Sequence, residues 1–237
     1  MDPIRATGCA LVALLLTSSG AVAQVYYRVE IGYSKSVYAD IRDKDFGTDG
    51  VICGDATCSR SGSLSDVGNS PVLAGGAGWR FTPNVRGDVM LTYRPGYKLD
   101  KHDSFNPPAT FKADVTSWSL LANEYYEFRL AGWTPYLGAG IGVARNKFGP
   151  LTFSDNAGFS GSAESGTKTS LALALMAGAG IPLSGTVILD IGYRFADLGK
   201  IETGTGRQSF GFGVAGAPYS GATGNLRAHE IVIGLRM

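Results

Sequence analysis

The feature that most constrains the fold is a two-residue alternation in which charged side chains occupy only one face of each extended segment. Between residues 25 and 34 the odd positions are Val, Tyr, Val, Ile and Tyr, whereas the even positions include Arg28 and Glu30. Successive side chains of a strand point to opposite faces, so this pattern is typical of a β-strand with one apolar and one polar face. A helix would spread the charges around its surface. The pattern therefore predicts an all-β protein.

Seven further segments show the same alternation, so the chain contains eight candidate strands. Most are about ten residues long, which is the length that a tilted strand needs to span a bilayer. The segments cover residues 25–34, 73–81, 85–94, 116–123, 137–144, 171–181, 187–195 and 230–237. The charged residues on their polar faces are Arg28, Glu30, Arg80, Arg86, Asp88, Arg94, Asp190, Arg194, Glu230 and Arg236.

The connections between these segments alternate between long and short. The long ones cover residues 35–71, 96–108, 146–167 and 197–225, and the short ones cover residues 82–84, 125–133 and 182–185. Four long loops at one end and tight turns at the other are typical of an up-and-down transmembrane barrel. The sequence therefore predicts an eight-stranded antiparallel transmembrane β-barrel with its apolar face toward lipid.

A soluble barrel of the lipocalin type shares the strand number and the alternation, but its apolar face points inward. The polar face here carries too many charges to line an apolar ligand cavity. An eight-stranded barrel is just wide enough for side chains to fill, so we expect the charges to form a hydrogen-bonded plug. We expect Glu230 to pair with Arg194, and Glu30 with Arg236. A narrow ion pathway is the alternative.

The first 23 residues have the pattern of a cleaved signal peptide, namely Arg5, an apolar run at residues 9–16 and Ala-Val-Ala before Gln24. Residues 24–237 would then form the barrel. Export to an oxidising compartment would allow Cys53 and Cys58, which are separated by four residues in a polar stretch, to form a loop disulfide. The alternative is a metal site, but no nearby His or third Cys supplies the ligands that zinc requires.

The sequence shows no motif for catalysis, and we predict no cofactor and no metal. Of the two histidines, His102 lies in a polar segment and His229 has no serine near it on the same face, so neither forms a recognisable nucleophile–base pair. The net charge of +1 gives no basis for binding nucleic acid. Apolar residues within the long connections either contact an external partner or pack against each other; they are Phe148, Leu151, Phe153, Phe159, Phe210 and Phe212.

Four stretches together resemble the OmpA-like small outer-membrane β-barrel family, especially its alphaproteobacterial surface antigens and opacity-type relatives. They are LANEYYEF at residues 121–128, TPYLGAGIGVA at 134–144, GYRFADLG at 192–199 and RAHEIVIGLRM at 227–237. The resemblance implies the outer membrane of a Gram-negative bacterium. It also implies contact with membrane lipid, lipopolysaccharide and the barrel-assembly machinery. A structural role, or contact with a host or envelope protein through the loops, is the expected function; a narrow porin-like channel and a lipid-modifying enzyme are the alternatives.

Overall fold

A computed structural model of the chain describes residues 24–45, 52, 66–102, 109–209 and 216–237. The predicted signal peptide, the predicted disulfide between Cys53 and Cys58, and the residues Phe210 and Phe212 lie outside these ranges. Those expectations remain predictions.

Thirteen strands, numbered in chain order, account for most of the described residues. Eight are long and form the barrel wall: β1 (Gln24–Val37), β3 (Asn69–Arg80), β4 (Val85–His102), β5 (Thr110–Glu127), β6 (Thr134–Phe148), β9 (Gly166–Pro182), β10 (Ile188–Glu202) and β13 (Ala222–Arg236). Five are short: β2 (Arg42–Asp43), β7 (Leu151–Ser154), β8 (Ser160–Ala163), β11 (Gly206–Ser209) and β12 (Ala217–Tyr219).

The long strands close into a single antiparallel barrel. Their order around the wall is β5-β4-β3-β1-β13-β10-β9-β6, and pairing of β6 with β5 completes the circle. The first and last long strands, β1 and β13, are neighbours, as in an up-and-down barrel. The predicted eight-stranded antiparallel β-barrel is confirmed.

The outer face of the wall is apolar at the middle level of the barrel. Ile31, Leu175 and Ile231 are each more than 60% exposed, while the residues that alternate with them are buried inside. This orientation is the opposite of a lipocalin-type barrel. Aromatic rings occupy both borders of this apolar belt, including the stacked pair Tyr93–Trp118 at the end with the long connections. Within the described ranges no helix is long and apolar enough to cross a membrane.

The long connections contain more regular structure than the sequence analysis predicted. Strands β4 and β5 continue beyond the belt, and β7, β8, β11 and β12 extend the sheet from the upper end of β5. The prediction of loops was wrong here because the alternation inverts above the membrane level. Phe111 and Val115 point inward and are buried, whereas Lys112 and Asp114 are exposed. Above the membrane the wall is surrounded by water, so its inner face is apolar and its outer face is polar. Strands that are recognised by a charge-free outer face are therefore not recognised at this level.

We call this upper region the cap; it consists of the five short strands and the ends of the long strands beyond the belt. Its interior is an apolar core in which Phe153 packs against both Phe111 and Tyr219, with ring centroids 5.9 and 5.5 Å apart. Phe148, Leu151 and Phe153 are at most 2% exposed, and Phe159 packs against this core. These four loop residues therefore stabilise the cap from within.

Two directly paired glycines make room for a large side chain inside the barrel. Gly178 of β9 lies opposite Gly192 of β10. A Cβ atom at these positions would lie 2.5 and 2.7 Å from the hydroxyl oxygen of Tyr136, well inside van der Waals contact. Glycine is therefore required for Tyr136 to cross the lumen, where its hydroxyl accepts a hydrogen bond from Arg28 at 3.4 Å.

Candidate functional site: the charged barrel interior

The polar face of the wall brings all ten charged residues predicted from the sequence into the barrel interior. Nine of them are at most 4% exposed; Arg80, at the end with the short turns, is half-buried. Their strands place them at successive heights, because alternate residues of each tilted strand enter the lumen. The interior therefore contains an ordered stack of arginines and carboxylates below the apolar core of the cap.

The lowest layer is built around Glu127, which sits at the end of β5. One of its carboxylate oxygens accepts hydrogen bonds from Arg86 Nε at 2.7 Å and Arg236 Nη1 at 2.8 Å. The other oxygen lies 2.6 Å from Arg80 Nη1. Three arginines from β3, β4 and β13 thus converge on one carboxylate, which ties three parts of the wall together across the lumen.

The middle layer is centred on Arg28 of β1. Its guanidinium contacts Glu30 at 2.5 Å and lies 3.5 Å from Asp88 and 3.6 Å from Asp190. It also donates a hydrogen bond to Tyr125 Oη at 3.1 Å. The Tyr125 ring in turn lies under the guanidinium of Arg86, 3.8 Å from ring centroid to Cζ. Cation–π and ionic contacts therefore fill the centre of the barrel.

The upper layer is built around Glu230 of β13, which is completely buried. Arg94 forms a two-pronged contact with it, from Nε at 2.6 Å and Nη2 at 3.2 Å. Arg194 donates to it at 2.5 Å, and the Ser34 hydroxyl donates to it at 3.0 Å. Ser34 also shares a hydrogen bond with Tyr97, the first side chain of the cap core. The ionic stack therefore ends where the apolar core begins.

One of the two expected ion pairs differs in the structure. Arg194 contacts Glu230, as the sequence analysis expected, but the expected pairing of Glu30 with Arg236 was wrong. Arg236 instead contacts Glu127 and Asp190, at 2.8 and 3.2 Å. In the β1–β13 register, Glu30 lies opposite Gly234, so Arg236 sits one layer lower. Glu30 bridges Arg28 and Arg194 and so connects the middle layer to the upper one.

Several members of this network were not predicted from the sequence. Glu127 was assigned to a short turn, although Asn123, Tyr125 and Glu127 keep the inward parity of β5 to its end. Extending the alternation by two steps would have found it. Tyr26 shares the parity of Arg28, and Tyr136 has the inward parity of β6, but neither was predicted as part of the network because an aromatic ring does not by itself indicate an ionic contact. Their hydroxyls bind Arg86 and Arg28 inside the lumen.

The network is close to electrical neutrality. With Glu127 included it contains six arginines and five carboxylates, a difference of one positive charge, and the exposed end of the stack is Arg80. A contiguous series of contacts runs from Arg80 through Glu127, Arg86, Asp88, Arg28, Glu30, Arg194 and Glu230 to Arg94. Paired charges of both signs therefore connect the strands of the wall across the lumen.

The side chain of His229 contacts aromatic residues in the structure. His229 lies on the outer face of β13, where Nδ1 shares a hydrogen bond with the Tyr193 hydroxyl and its ring lies 5.2 Å from that of Phe195. For His102 the structure describes only the backbone, which pairs with Thr110 at the upper end of β4.

Curated relatives come from the genus Brucella. Uncharacterized proteins of Brucella suis biovar 1 (strain 1330) and of Brucella melitensis biotype 1 are each 31% identical over 140 residues. In both cases the match covers 51% of this chain and 49% of the relative, so the chain matches about half the length of these proteins.

Among solved structures, the outer membrane protein OprG from Pseudomonas aeruginosa superposes with a TM-score of 0.50 at 14% identity. The match covers 91% of this chain and 97% of OprG. Neisserial surface protein A gives a TM-score of 0.49 at 19% identity, with 91% and 97% of the two chains covered. At these identities the likeness to OprG shows the fold alone.

The chain also matches a family profile over nearly its whole length. Residues 7–235 match the family described as "Outer membrane protein beta-barrel domain". This match agrees with the closed barrel, the apolar outer belt and the polar interior. The protein therefore belongs to the outer membrane β-barrel family and is located in the outer membrane of a Gram-negative bacterium.

Proposed function

We propose that this protein is a non-enzymatic structural and surface-interaction protein, in which a closed barrel anchors a rigid cap on the cell exterior. The observation that carries the proposal is the arginine–carboxylate network, which fills the lumen with paired charges. Such a network stabilises a wall and puts paired charged side chains across the lumen, which supports a closed barrel over a channel. The short turns lie on the periplasmic side in barrels of this type, which puts the cap outside the cell.

The construction of the cap supports a role in contact with other surfaces. The apolar side chains of the cap pack in its own core. The outward faces of its strands are polar and carry Lys98, Asp100, Lys112 and Asp114. Binding residues are commonly carried by segments that a rigid scaffold positions. The cap is therefore suited to polar recognition of another protein, a glycan or the envelope.

Planar-bilayer recording tests the closed lumen. We expect the purified barrel to give no resolved single-channel steps. A variant without the central side chains, with Arg28→Ala and Tyr125→Ala, is the matched control and is expected to raise the current if it remains heat-modifiable on gels. Regular conductance steps from the unmodified protein would contradict the proposal and favour the narrow channel.

A strain that lacks the protein tests the surface role. We expect complementation with the full chain to restore both resistance to detergent and adherence to host cells. A variant in which a tight turn replaces residues 149–165 is expected to restore resistance but not adherence. Equal adherence by both would contradict a role for the cap. An altered acyl pattern of lipid A, abolished by His229→Ala, would instead indicate a lipid-modifying enzyme.

A further inference from the structure

The outer face of β6 carries two positive charges that are uncompensated in the part of the chain that the structure describes. Arg145 and Lys147 alternate along the strand, so both point outward, and both are exposed. Alternate residues of a strand are about 7 Å apart. Neither side chain has an ion-pair or hydrogen-bond partner within the described ranges, and no acidic residue stands directly opposite either one.

Several other cations near this level have a carboxylate beside them. Arg227 contacts Asp197 at 2.8 Å, and Lys168 contacts Glu202 at 3.2 Å. On β4 and β5, Lys98 lies directly opposite Asp114, and Lys112 directly opposite Asp100. Since opposite charges on facing positions offset each other, these regions have little net charge. The outer face of β6 differs from them in keeping both of its charges.

The neighbours of the two cations are hydrogen-bonding and aromatic side chains. Arg145 lies between Trp118 of β5 and Thr169 of β9, and Lys147 lies between Thr116 and Thr167. Thr167 and Thr169 are exposed, and Trp118 is 45% exposed. Two cations flanked by hydroxyl donors are suited to bind a phosphate group, which takes charge-assisted hydrogen bonds from several directions.

The height of this group on the wall indicates where the phosphate comes from. Directly below Arg145 the outward residue of β6 is Val143, which faces Leu171 on β9, and both belong to the apolar belt. Trp118 is stacked on Tyr93 at the belt's upper border. Aromatic rings of this kind mark the level of lipid head groups. Arg145 and Lys147 therefore lie where the charged head groups of the outer leaflet meet the protein.

We propose that Trp118, Arg145, Lys147, Thr167 and Thr169 form a binding site for the phosphorylated head group of an outer-leaflet glycolipid. Arg145 and Lys147 would hold the phosphate, the threonine hydroxyls would donate to it, and Trp118 would pack on the lipid side. The site uses only the outer wall, so the proposal does not depend on whether the lumen conducts.

Native mass spectrometry of the detergent-folded barrel with lipid A that carries two phosphates tests this site. Removing both charges in R145Q/K147Q is expected to weaken binding about thirtyfold, since each basic side chain near an anionic lipid surface contributes about a fivefold gain in affinity. The matched control is K98Q/K112Q, which also removes two positive charges but leaves the site intact. We expect the affinity of this variant for lipid A to change less than about twofold. Heat-modifiability on gels confirms that both variants are folded.

The source of the phosphate is tested by changing the ligand. Lipid A without phosphates is expected to bind the unmodified protein as weakly as R145Q/K147Q binds the phosphorylated form. Equal binding of the two lipids, or of the two double variants, would overturn the proposal. Inorganic phosphate or a soluble polysulfated sugar that competes as strongly as the lipid would show that the site takes a soluble anion, which would also overturn the assignment to a glycolipid.

Discussion

Single residues in this barrel have different energetic roles according to the face that they occupy. Inside, a carboxylate such as Glu230 is completely buried and is stabilised by the guanidinium groups of Arg94 and Arg194 and by the hydroxyl of Ser34. Outside, a carboxylate such as Glu202 contacts Lys168 in a half-exposed pair. Loss of one partner from a buried ionic contact leaves an uncompensated charge, whereas loss of an exposed partner leaves a charge that water can solvate.

Glu230→Ala is therefore expected to lower the free energy of unfolding by about 3–5 kcal/mol, because the buried guanidinium of Arg94 loses its counter-ion and that of Arg194 keeps only its contact with Glu30. Urea unfolding in lipid vesicles, followed by tryptophan fluorescence, measures the change. Glu202→Ala is the control, with an expected loss below about 1 kcal/mol. Equal losses in the two variants would show that the network does not stabilise the barrel.

Another carboxylate lies on the outer, lipid-facing side of the wall, where a charge is unfavourable. Glu124 is exposed on the outside of β5, where its strand neighbours on the same face are Ala122 and Tyr126, and it lies directly opposite Gly87 and Ala139. A charge on the lipid face destabilises a barrel by an amount that falls toward the interface. The small neighbours leave its side chain uncovered, so the carboxylate faces the membrane.

Replacing this charge is expected to stabilise the protein. Glu124→Leu should raise the free energy of unfolding in vesicles by about 1 kcal/mol, since Glu124 is near the lower aromatic border and not at the midplane. The same vesicle unfolding assay measures the gain, and Ala122→Leu controls for added apolar area. A loss of stability in Glu124→Leu would mean that the carboxylate has a partner in the membrane.

At the scale of elements, two irregularities coincide with the change from ionic to apolar interior. The register of β4 shifts between Arg94 and Tyr97, and that of β10 shifts between Asp197 and Lys200. Each bulge changes the parity of the inward residues, so Tyr97 and Ile201 enter the cap core. Bulges increase local twist and redirect side chains. Here they separate the part of the wall with an apolar outer face, in the membrane, from the part with a polar outer face, in water.

Gly199 in the β10 bulge has a φ of +74°, a conformation that side chains with a Cβ disfavour. Gly199→Val is expected to destabilise the cap by about 1–3 kcal/mol while the membrane level stays folded. Limited proteolysis of intact cells should then cleave the cap faster, with heat-modifiability retained. Gly96→Val in the β4 bulge is the matched control, because a Cβ there would meet open space. Equal protease resistance of the two variants would contradict this account of the β10 bulge.

At the scale of the whole molecule, the interior is divided into two regions with different stabilising forces. The membrane level is held by charges, hydrogen bonds and the closed wall, and the cap by apolar packing around Phe111, Phe153 and Tyr219. The ionic network and the apolar core of the cap meet where Ser34 links Glu230 to Tyr97. The wall at membrane level closes through its own strand pairs, so it does not need the cap to be complete.

A minimal barrel is therefore expected to fold. If short turns replace residues 38–68, 98–112, 149–165 and 203–221, we expect the shortened chain to insert into detergent micelles and to migrate faster unheated than boiled. Circular dichroism should retain the strand signal. Failure of this chain to form a heat-modifiable species, when the full chain does so under the same conditions, would show that the cap is needed for closure of the wall.

The sequence by itself determined the fold at membrane level and the identity of most interior charges. Alternation has a period of two in any strand, and lipid tolerates no charge on the outer face, so Arg28, Asp88 and Glu230 could be placed in the lumen from parity alone. The same rule failed above the membrane. There, water outside the wall reverses which face is polar, so residues 96–102 of β4 were taken for a loop and residues 110–115 of β5 were left out of the predicted strand.

Only the tertiary structure decided which charges meet. Strand register and tilt place Arg236 beside Glu127 and Asp190 and not beside Glu30, because a residue's height in the barrel depends on all the neighbouring strands at once. The uncompensated pair Arg145 and Lys147 is likewise visible only when the facing residues on β5 and β9 are known. Periodicity assigns a side chain to a face, whereas the closed wall assigns its partners.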